Sequence, residues 1–158
     1  MSTTLLPIEL REGGAQDLAS VNVIMQAAFD PQYGEAWTTP QCMGMMALSG
    51  VWLTIASIDG KDCGFAMARA MLDEAELLLL ATHPEMRGRG IGGALLRAVI
   101  AEALGRRAVK LHLEVRAGND AMRLYHRQGF CKIGERRGYY RGTSGQSFDA
   151  LTLARSLG

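Results

Sequence analysis

The feature that most constrains the fold is a glycine-rich loop between an apolar segment and a long apolar periodic segment. The stretch EMRGRGIGGALLRAV, residues 85–99, contains two overlapping phosphate-binding patterns. Gly88, Gly90 and Gly93 fit G-x-G-x-x-G, the dinucleotide-binding fingerprint, and Arg87, Gly90 and Gly92 fit R-x-x-G-x-G. Both patterns bind a pyrophosphate through backbone N–H groups at the start of a helix. They belong to different folds, so the choice between them decides much of the architecture.

The dinucleotide-binding pattern fits the surrounding sequence poorly. In that fold the first strand runs directly into the glycines, but THPEMR, residues 82–87, separates the strand segment LLLLA from Gly88. The residues after Gly93 also supply only one more βα unit and a hairpin, whereas a dinucleotide domain needs several βα units. A P-loop is excluded because Gly-Lys-Ser and Gly-Lys-Thr do not occur. The R-x-x-G-x-G interpretation is therefore favoured.

Hydrophobic periodicity predicts a single α+β domain over residues 1–158, with elements in the order β-α-α-β-β-β-α-β-α-β-β. Leu18, Val21, Ile24 and Met25 repeat at helical spacing, and Asp17 precedes them as a predicted N-cap. The predicted segments are IELREGGAQDLASVNVIMQAAF (strand, then helix), PQCMGMMAL (helix), VWLTIASID and CGFAMARAML (strands), EAELLLLAT (strand), IGGALLRAVIAEALGRR (helix), AVKLHLEVRAG (strand), NDAMRLYHRQGF (helix), and CKIGERRGYY and SFDALTLARSL (strands).

For three of these elements the sequence makes more specific predictions. Asp59-Gly60 between two apolar runs predicts a hairpin. The uninterrupted apolar segment EAELLLLAT is typical of a strand that is buried on both faces. The helix in NDAMRLYHRQGF is predicted to be capped by Asn119 and to stop at Gly129.

Composition and charge narrow the classes of partner. A formal net charge of +1 offers no strong electrostatic attraction for nucleic acid or for an acidic membrane. The N-terminal segment MSTTLLPIELREGG lacks the pattern of a signal peptide, and LLLLA is too short to span a bilayer. We therefore expect a cytoplasmic protein. Arg136, Arg137 and Arg141 cluster near the C-terminus, and either a solvated loop or a patch for an anionic ligand accounts for them.

The cysteines predict neither a disulfide framework nor a metal site. Cys42, Cys63 and Cys131 are odd in number and widely spaced, without metal-ligand spacing. We interpret them as buried thiols in a reducing compartment.

The glycine loop and its setting resemble the GCN5-related N-acetyltransferase superfamily over nearly the whole chain. AELLLLATHPEMRGRGIGGALL is similar to the central motif of that superfamily, and NDAMRLYHRQGF is similar to the next one. More narrowly, MLDEAELLLLATHPE, LEVRAGN, LYHRQGF and RRGYY resemble the bacterial RimI-type ribosomal-protein-alanine N-acetyltransferases. The resemblance implies a single-domain fold in which a mixed, mostly antiparallel sheet splays in its middle and carries helices on both faces.

The resemblance also implies a ligand and a set of binding residues. The ligand is acetyl-coenzyme A, which acts as a co-substrate without a metal. The pyrophosphate loop would comprise Arg87, Gly88, Arg89, Gly90, Ile91, Gly92 and Gly93. The backbone of Leu80, Ala81 and Thr82 would pair with the pantetheine arm, and Asn119 would donate a hydrogen bond to it.

Two side chains are predicted to carry the chemistry, in which an amine attacks the thioester directly. The resemblance makes Glu114 the predicted general base, and partial burial in mid-strand would disfavour the charged form of its carboxylate. The resemblance likewise makes Tyr125 the predicted acid that protonates the departing thiolate. Each residue also has a purely structural explanation: a salt-bridged strand carboxylate for Glu114, and a tyrosine packed in the core for Tyr125.

The sequence departs from the superfamily pattern at two places. Six positions separate Asn119 from Tyr125 where the family usually has seven, and one residue rotates a helix by about 100°. This change bears on the role of Asn119 more than on that of Tyr125. His83 replaces a commonly found aspartate, and it is either an additional base or an ordinary loop histidine.

The acceptor is predicted less directly than the donor. A RimI-type enzyme acetylates a protein N-terminus, typically an alanine of a small-subunit ribosomal protein, and Tyr33, Trp37, Tyr139 and Tyr140 could line a groove for it. The same aromatic residues could be ordinary packing. A small-molecule amine or a lysine side chain is the alternative acceptor, and a non-catalytic coenzyme A sensor is a third hypothesis.

Overall fold

The computed structural model describes residues 6–158. Its strands and helices follow the predicted order. The strands are β1 (Ile8–Gly13), β2 (Val51–Ile58), β3 (Lys61–Met71), β4 (Glu74–Thr82), β5 (Lys110–Arg116), β6 (Cys131–Arg141) and β7 (Ser147–Ser156). The helices are α1 (Leu18–Ala28), α2 (Thr39–Met46), α3 (Ile91–Gly105) and α4 (Met122–Arg127).

One seven-stranded sheet organises the chain, with strand order β1-β2-β3-β4-β5-β7-β6. All neighbours are antiparallel except β4 and β5, which are parallel. This topology excludes the dinucleotide-binding interpretation, because that fold is built on a largely parallel sheet. The predicted hairpin between β2 and β3 is confirmed, since Asp59 and Gly60 both have positive φ, 51° and 76°, as a type I′ turn requires.

The sheet splays between its two parallel strands. The ladder joins Glu74–Leu77 of β4 to residues 110–113 of β5 and does not continue beyond them in the described residues. At the same level a β-bulge interrupts the pairing of β4 with β3, because Leu77 pairs with Ala68 and Leu79 pairs with Met67. Leu78 is thus an extra residue in β4, and a bulge of this kind bends and twists a strand.

The bulge also reverses the faces of β4. Before it, Ala75 and Leu77 pack in the core under α3 and α4; after it, Leu79 and Ala81 pack in the core under α1 and α2. The prediction that β4 is buried on both faces is therefore wrong in detail, because buried and half-buried residues alternate along it. Among the half-buried residues, Leu78 packs against the core under α1 and α2, and Leu80 packs against the core under α3 and α4.

The helices pack on opposite faces of the sheet, as the resemblance implied. The periodic residues of α1, Leu18, Val21, Ile24 and Met25, are all buried on one face. On the other face α3 buries residues that include Ile91, Leu95, Leu96 and Val99. Gly64 on β3 permits this packing, because a Cβ there would lie 2.8 Å from Cγ2 of Ile91 and 3.0 Å from the carbonyl oxygen of Ala81. The start of α3 therefore sits directly against the end of β4.

Three local predictions need correction. Asp17 precedes α1, but its side chain accepts a hydrogen bond from the backbone N–H of Gly14 rather than from the helix. α4 begins at Met122 rather than at Asn119, and Gly129 in left-handed conformation follows its end. Cys42 and Cys63 are buried, but Cys131 is exposed because it starts an edge strand, β6. All three thiols are free.

Within residues 6–158, no helix is long and apolar enough to cross a membrane.

Candidate active site

An open cleft of about 670 Å³ lies where β4 and β5 separate. Its walls are the second half of β4, the end of β5, the glycine loop, the start of α4 and the segment that joins α1 to α2. Twelve of the thirteen predicted site residues line it: Leu80, Ala81, Thr82, Arg87, Gly88, Gly90, Ile91, Gly92, Gly93, Glu114, Asn119 and Tyr125. Arg89, the remaining one, is exposed and does not line the cleft. Residues from distant parts of the chain thus meet at one place.

The edge of β4 supplies backbone hydrogen-bonding groups to the cleft. Leu80, Ala81 and Thr82 pair with Ala66, Phe65 and Gly64 of β3 on one side. Among the described residues they have no strand partner on the other side, where β5 has turned away. Successive peptide groups of a strand point to alternate sides, so unpaired N–H and C=O groups face the cleft. An extended ligand containing amides can add to such an edge as a further strand.

The glycine loop forms an anion-binding helix start at one end of this edge. Gly88 and Gly90 have φ of 80° and 81°, in the left-handed region that favours glycine. Gly90 is the N-cap of α3, so the N–H groups of Ile91, Gly92 and Gly93 are the first-turn donors that lack intrahelical partners. Together with the positive end of the helix dipole they suit a phosphate.

Arg87 reaches away from the loop toward α1. One of its guanidinium nitrogens, Nη2, donates to the carbonyl oxygen of Ala28 over 3.3 Å. The bond satisfies a carbonyl at the C-terminal end of α1, where a positive charge is also favourable. His83, at the other side of the same loop, accepts a hydrogen bond at Nδ1 from the N–H of Glu85, 3.2 Å away, and so caps the short turn Pro84–Met86.

Glu114 projects from β5 beside the cleft and is held in an ion pair. Its Oε1 lies 2.8 Å from Nε of Arg136, and its side chain is 14 % exposed. Its Oε2 is buried and has no hydrogen-bond partner among the described residues. The hydroxyl of Tyr140 donates to the backbone carbonyl of Glu114 over 3.4 Å, which ties β6 to β5 at this position.

Tyr125 lies on α4 with its ring buried in the core. The ring meets that of Phe130 edge to face, with 5.9 Å between centroids. Burial raises the pKa of the Tyr125 hydroxyl, and the negative charge of Glu35 raises it further. Both effects disfavour the phenolate, and the neutral phenol is a hydrogen-bond donor.

A buried polar network that the sequence analysis missed connects three segments at the cleft. Oε1 of Glu35 is 3.1 Å from Nε of Arg116, and Oε2 of Glu35 accepts from Nδ2 of Asn119 over 2.7 Å. The side chains of Glu35 and Arg116 are only 9 % and 13 % exposed. Glu35 lies in a loop without periodicity, so no sequence pattern points to it. Arg116, in contrast, belongs to the motif LEVRAGN, which could have drawn attention to it.

Asn119 takes part in this network and in its own turn. Besides donating to Glu35, it accepts a hydrogen bond at Oδ1 from the N–H of Ala121 over 2.8 Å. The side chain thus holds the residues before α4 and binds the loop that contains Glu35. The predicted hydrogen bond to a pantetheine arm stays a prediction.

The predicted aromatic residues also line the cleft: Tyr33, Trp37, Tyr139 and Tyr140. The guanidinium of Arg116 stacks 3.6 Å from the centroid of Tyr33, whose ring in turn meets Phe148 edge to face at 5.1 Å. Tyr139 and Tyr140 meet each other edge to face at 5.0 Å. Burial is the main cause that raises the pKa of Tyr140, followed by the charge of Glu35.

The described residues contain no group of three or more histidine, cysteine, aspartate or glutamate side chains that could hold a metal ion.

Comparisons with known proteins identify what this architecture is similar to. Residues 19–130 match the model of the acetyltransferase (GNAT) family. The [ribosomal protein bS18]-alanine N-acetyltransferase of Escherichia coli K12 is 41 % identical over 97 residues, which are 61 % of this chain and 65 % of that enzyme. The N-alpha-acetyltransferase RimI of Mycobacterium tuberculosis is 43 % identical over 86 residues, 54 % of this chain and 51 % of that protein. The matched segments therefore span less than two thirds of these relatives.

Solved structures agree over a longer stretch. The crystal structure of the ribosomal-protein-S18-alanine N-acetyltransferase from Escherichia coli superposes with a TM-score of 0.84 at 30 % identity, covering 96 % of this chain and 94 % of that one. Arabidopsis thaliana NAA60 in complex with acetyl-CoA shares the fold, with a TM-score of 0.80, 22 % identity and coverage of 95 % and 98 %. The family match, the identity and the splayed sheet agree, and the chain belongs to the acetyltransferase (GNAT) family.

Proposed function

We propose that this protein is an acetyl-CoA-dependent N-acetyltransferase that acetylates the α-amino group of a protein N-terminus, as RimI enzymes do. One observation carries the proposal: an unpaired strand edge and a glycine-lined helix start face Glu114 and Tyr125 across a single cleft. The relatives named for ribosomal protein bS18 support an N-terminal alanine of a small-subunit ribosomal protein as the acceptor.

The donor half of the cleft fits acetyl-coenzyme A by its chemistry. The N–H groups of Ile91, Gly92 and Gly93 suit the pyrophosphate, and the free edge of residues 80–82 suits the amides of the pantetheine arm. When bound, the coenzyme supplies an acetyl group activated as a thioester. A backbone N–H of this edge would also stabilise negative charge on the thioester oxygen as the amine attacks.

Glu114 is the proposed general base. An α-amino group has a reference pKa of about 7.7 to 8.0, so at neutral pH most of it must lose a proton before it can attack. A carboxylate that is mostly shielded from water and lies on the wall of the cleft is suited to accept that proton, directly or through a water molecule.

Tyr125 is the proposed general acid. Its hydroxyl is protonated at neutral pH, as that of any tyrosine with an ordinary pKa of about 10 would be, and the residue lies on the wall of the same cleft. It would give its proton to the departing sulfur when the thioester bond breaks. The two proton transfers then use different groups, so neither side chain has to perform both in one turnover.

The test is thiol release from acetyl-coenzyme A with three matched peptides. One has a free N-terminal alanine, the second has a blocked N-terminus and an internal lysine, and the third has both amines blocked. We expect turnover with the free N-terminus only. Turnover with the lysine peptide alone would contradict the proposed acceptor, and a chain that binds the coenzyme but uses neither peptide would point to small amines or to a sensor. The predicted cytoplasmic location is part of this proposal and is tested by fractionating cells.

A further inference from the structure

The carboxylate of Glu114 is not open to an incoming amine in the free protein. Oε1 is occupied by the guanidinium of Arg136, with 2.8 Å between Oε1 and Nε. Oε2 is buried and makes no hydrogen bond within residues 6–158. Glu114 lines the cleft, so an ammonium group that approaches its carboxylate from the cleft competes with the guanidinium for Oε1.

The guanidinium is placed so that it can leave at low cost. The Arg136 side chain is 62 % exposed, and Arg136 lies where the pairing of edge strand β6 with β7 becomes irregular, between Arg136 and Tyr140. Water competes for an exposed guanidinium and holding its long side chain in place costs conformational entropy, so such a pair is weaker than one in which both partners are buried. Its other neighbour is the ring of Tyr139, 5.5 Å from the guanidinium carbon, which is a weak contact.

We propose that Arg136 guards Glu114, in the sense that its guanidinium occupies the carboxylate until the ammonium group of a cationic acceptor displaces it. Only then can Glu114 deprotonate the acceptor amine. The inference rests on the proposed function in that Glu114 is the base. The guanidinium and the acceptor ammonium are both cations, so they compete for the same oxygen. The acetylated product is a neutral amide and does not compete, so Arg136 returns to Glu114 and favours release of the product.

Steady-state kinetics distinguishes this competition from a role in which Arg136 merely orients Glu114. If Arg136 positions the carboxylate for catalysis, its removal lowers kcat. If Arg136 competes with the acceptor, its removal lowers the acceptor KM and leaves kcat unchanged. The variants are Arg136→Gln, which removes the charge, and Arg136→Lys, which keeps it. Arg137→Gln is the matched control, since Arg137 is exposed on the same strand and forms no ion pair among the described residues.

The first measurement is independent of the acceptor. Modification of Glu114 by a water-soluble carbodiimide and glycine ethyl ester is followed by mass spectrometry of the peptide that contains it. We expect Arg136→Gln to label about twofold to fivefold faster than wild type, the fold-change that corresponds to an exposed ion pair. Arg136→Lys and Arg137→Gln should label at nearly the wild-type rate, and thermal unfolding checks that all three variants are folded.

The second measurement uses the peptide with a free N-terminal alanine. We expect Arg136→Gln to lower its KM about twofold to fivefold, with kcat unchanged within a factor of two. An unchanged labelling rate, an unchanged KM, or a tenfold loss of kcat would each overturn the guard. If wild type uses no peptide, the proposed acceptor fails, and the labelling rates alone decide whether Arg136 guards Glu114.

Discussion

The two sides of the cleft are built in different ways. The proposed coenzyme side consists of the β4 edge and the glycine loop, and the groups proposed to bind there are backbone N–H and C=O groups of consecutive residues. The proposed acceptor side consists of side chains from separate segments, namely the Glu35–Arg116–Asn119 network and the Arg136–Glu114 pair. Glu35 and Arg116 are 81 positions apart in the chain.

Because of this difference, different kinds of substitution are expected to alter the two sides. A backbone site is altered by residues that change φ or fill space, whereas a side-chain network is altered by a change of charge alone. We therefore expect substitutions on the acceptor side to change catalysis or stability and to leave coenzyme binding intact. Tyr125→Phe and Gly142→Ala test that expectation directly, because both catalysis and the Kd of acetyl-coenzyme A are measured for each.

The largest effect is expected for Tyr125→Phe, which removes only the hydroxyl. Because the ring still packs against Phe130, the fold should persist, while kcat falls by ~10²-fold or more through loss of the acid. Steady-state kinetics and the Kd of acetyl-coenzyme A measure the two sides separately. A kcat within threefold of wild type would mean that Tyr125 is a packing residue only.

Glu35→Gln should lower the free energy of unfolding, because it breaks the Glu35–Arg116 ion pair on the acceptor side. The substitution keeps the shape but leaves the mostly buried Arg116 without its counter-ion, which we expect to cost about 2 kcal/mol, below the range for fully buried pairs because both side chains keep some contact with water. The free energy of unfolding in urea measures it. Glu102→Gln breaks the exposed pair with Arg106 and should cost less than about 0.5 kcal/mol. Equal losses in the two variants would show that the network is not a buried one.

Gly142→Ala should move the turn between β6 and β7 away from the loop before α2; these two segments form walls of the acceptor side. A Cβ at Gly142 would clash with the backbone oxygen of Gln32, so the turn between β6 and β7 must move away from the loop before α2. We expect the acceptor KM to rise roughly tenfold through misplacement of the wall, with the coenzyme Kd unchanged within a factor of two. Gly134→Ala on β6, the strand that precedes this turn, is the control, since its Cβ would meet Thr152 at an ordinary 3.9 Å. A weakened coenzyme Kd would instead mean that the two sides are coupled.

The smallest effect is expected for His112, which lies where β4 and β5 are still paired. The hydrogen bond with Glu76 raises the pKa of His112, and burial opposes this only in part. A raised pKa in the folded state stabilises at low pH, and this contribution is lost as the pH rises through the folded pKa. The stability difference between wild type and His112→Gln should therefore be largest below the reference histidine pKa of about 6.5 and shrink as the pH rises above it, by a few tenths of a kcal/mol for so exposed a pair. Lys132→Gln, which breaks an exposed ion pair without a histidine, should show no such change, and an equal change in the two variants would contradict the role of His112.

The sequence predicted the coenzyme side better than the acceptor side for a physical reason. The glycine loop, the start of α3 and the apolar β4 are contiguous, so their residue types and spacing carry the geometry. Even there, the bulge at Leu78 was not predicted, because nothing in a run of four leucines marks which one is extra. Glu114 and Tyr125 were found through the resemblance, and their catalytic roles stay predictions.

Local sequence by itself determined the elements of this protein and their order: the Asp59–Gly60 hairpin, the periodic faces of α1 and α3, and the glycines that place N–H groups at a helix start. These features depend on interactions within a few residues. Only the tertiary structure decided that the sheet opens after Leu77, that Glu35 meets Arg116, and that Arg136 covers Glu114. Such pairings depend on which distant segments the folded sheet brings within a few ångströms, and a charged residue in a loop carries no local mark of its partner.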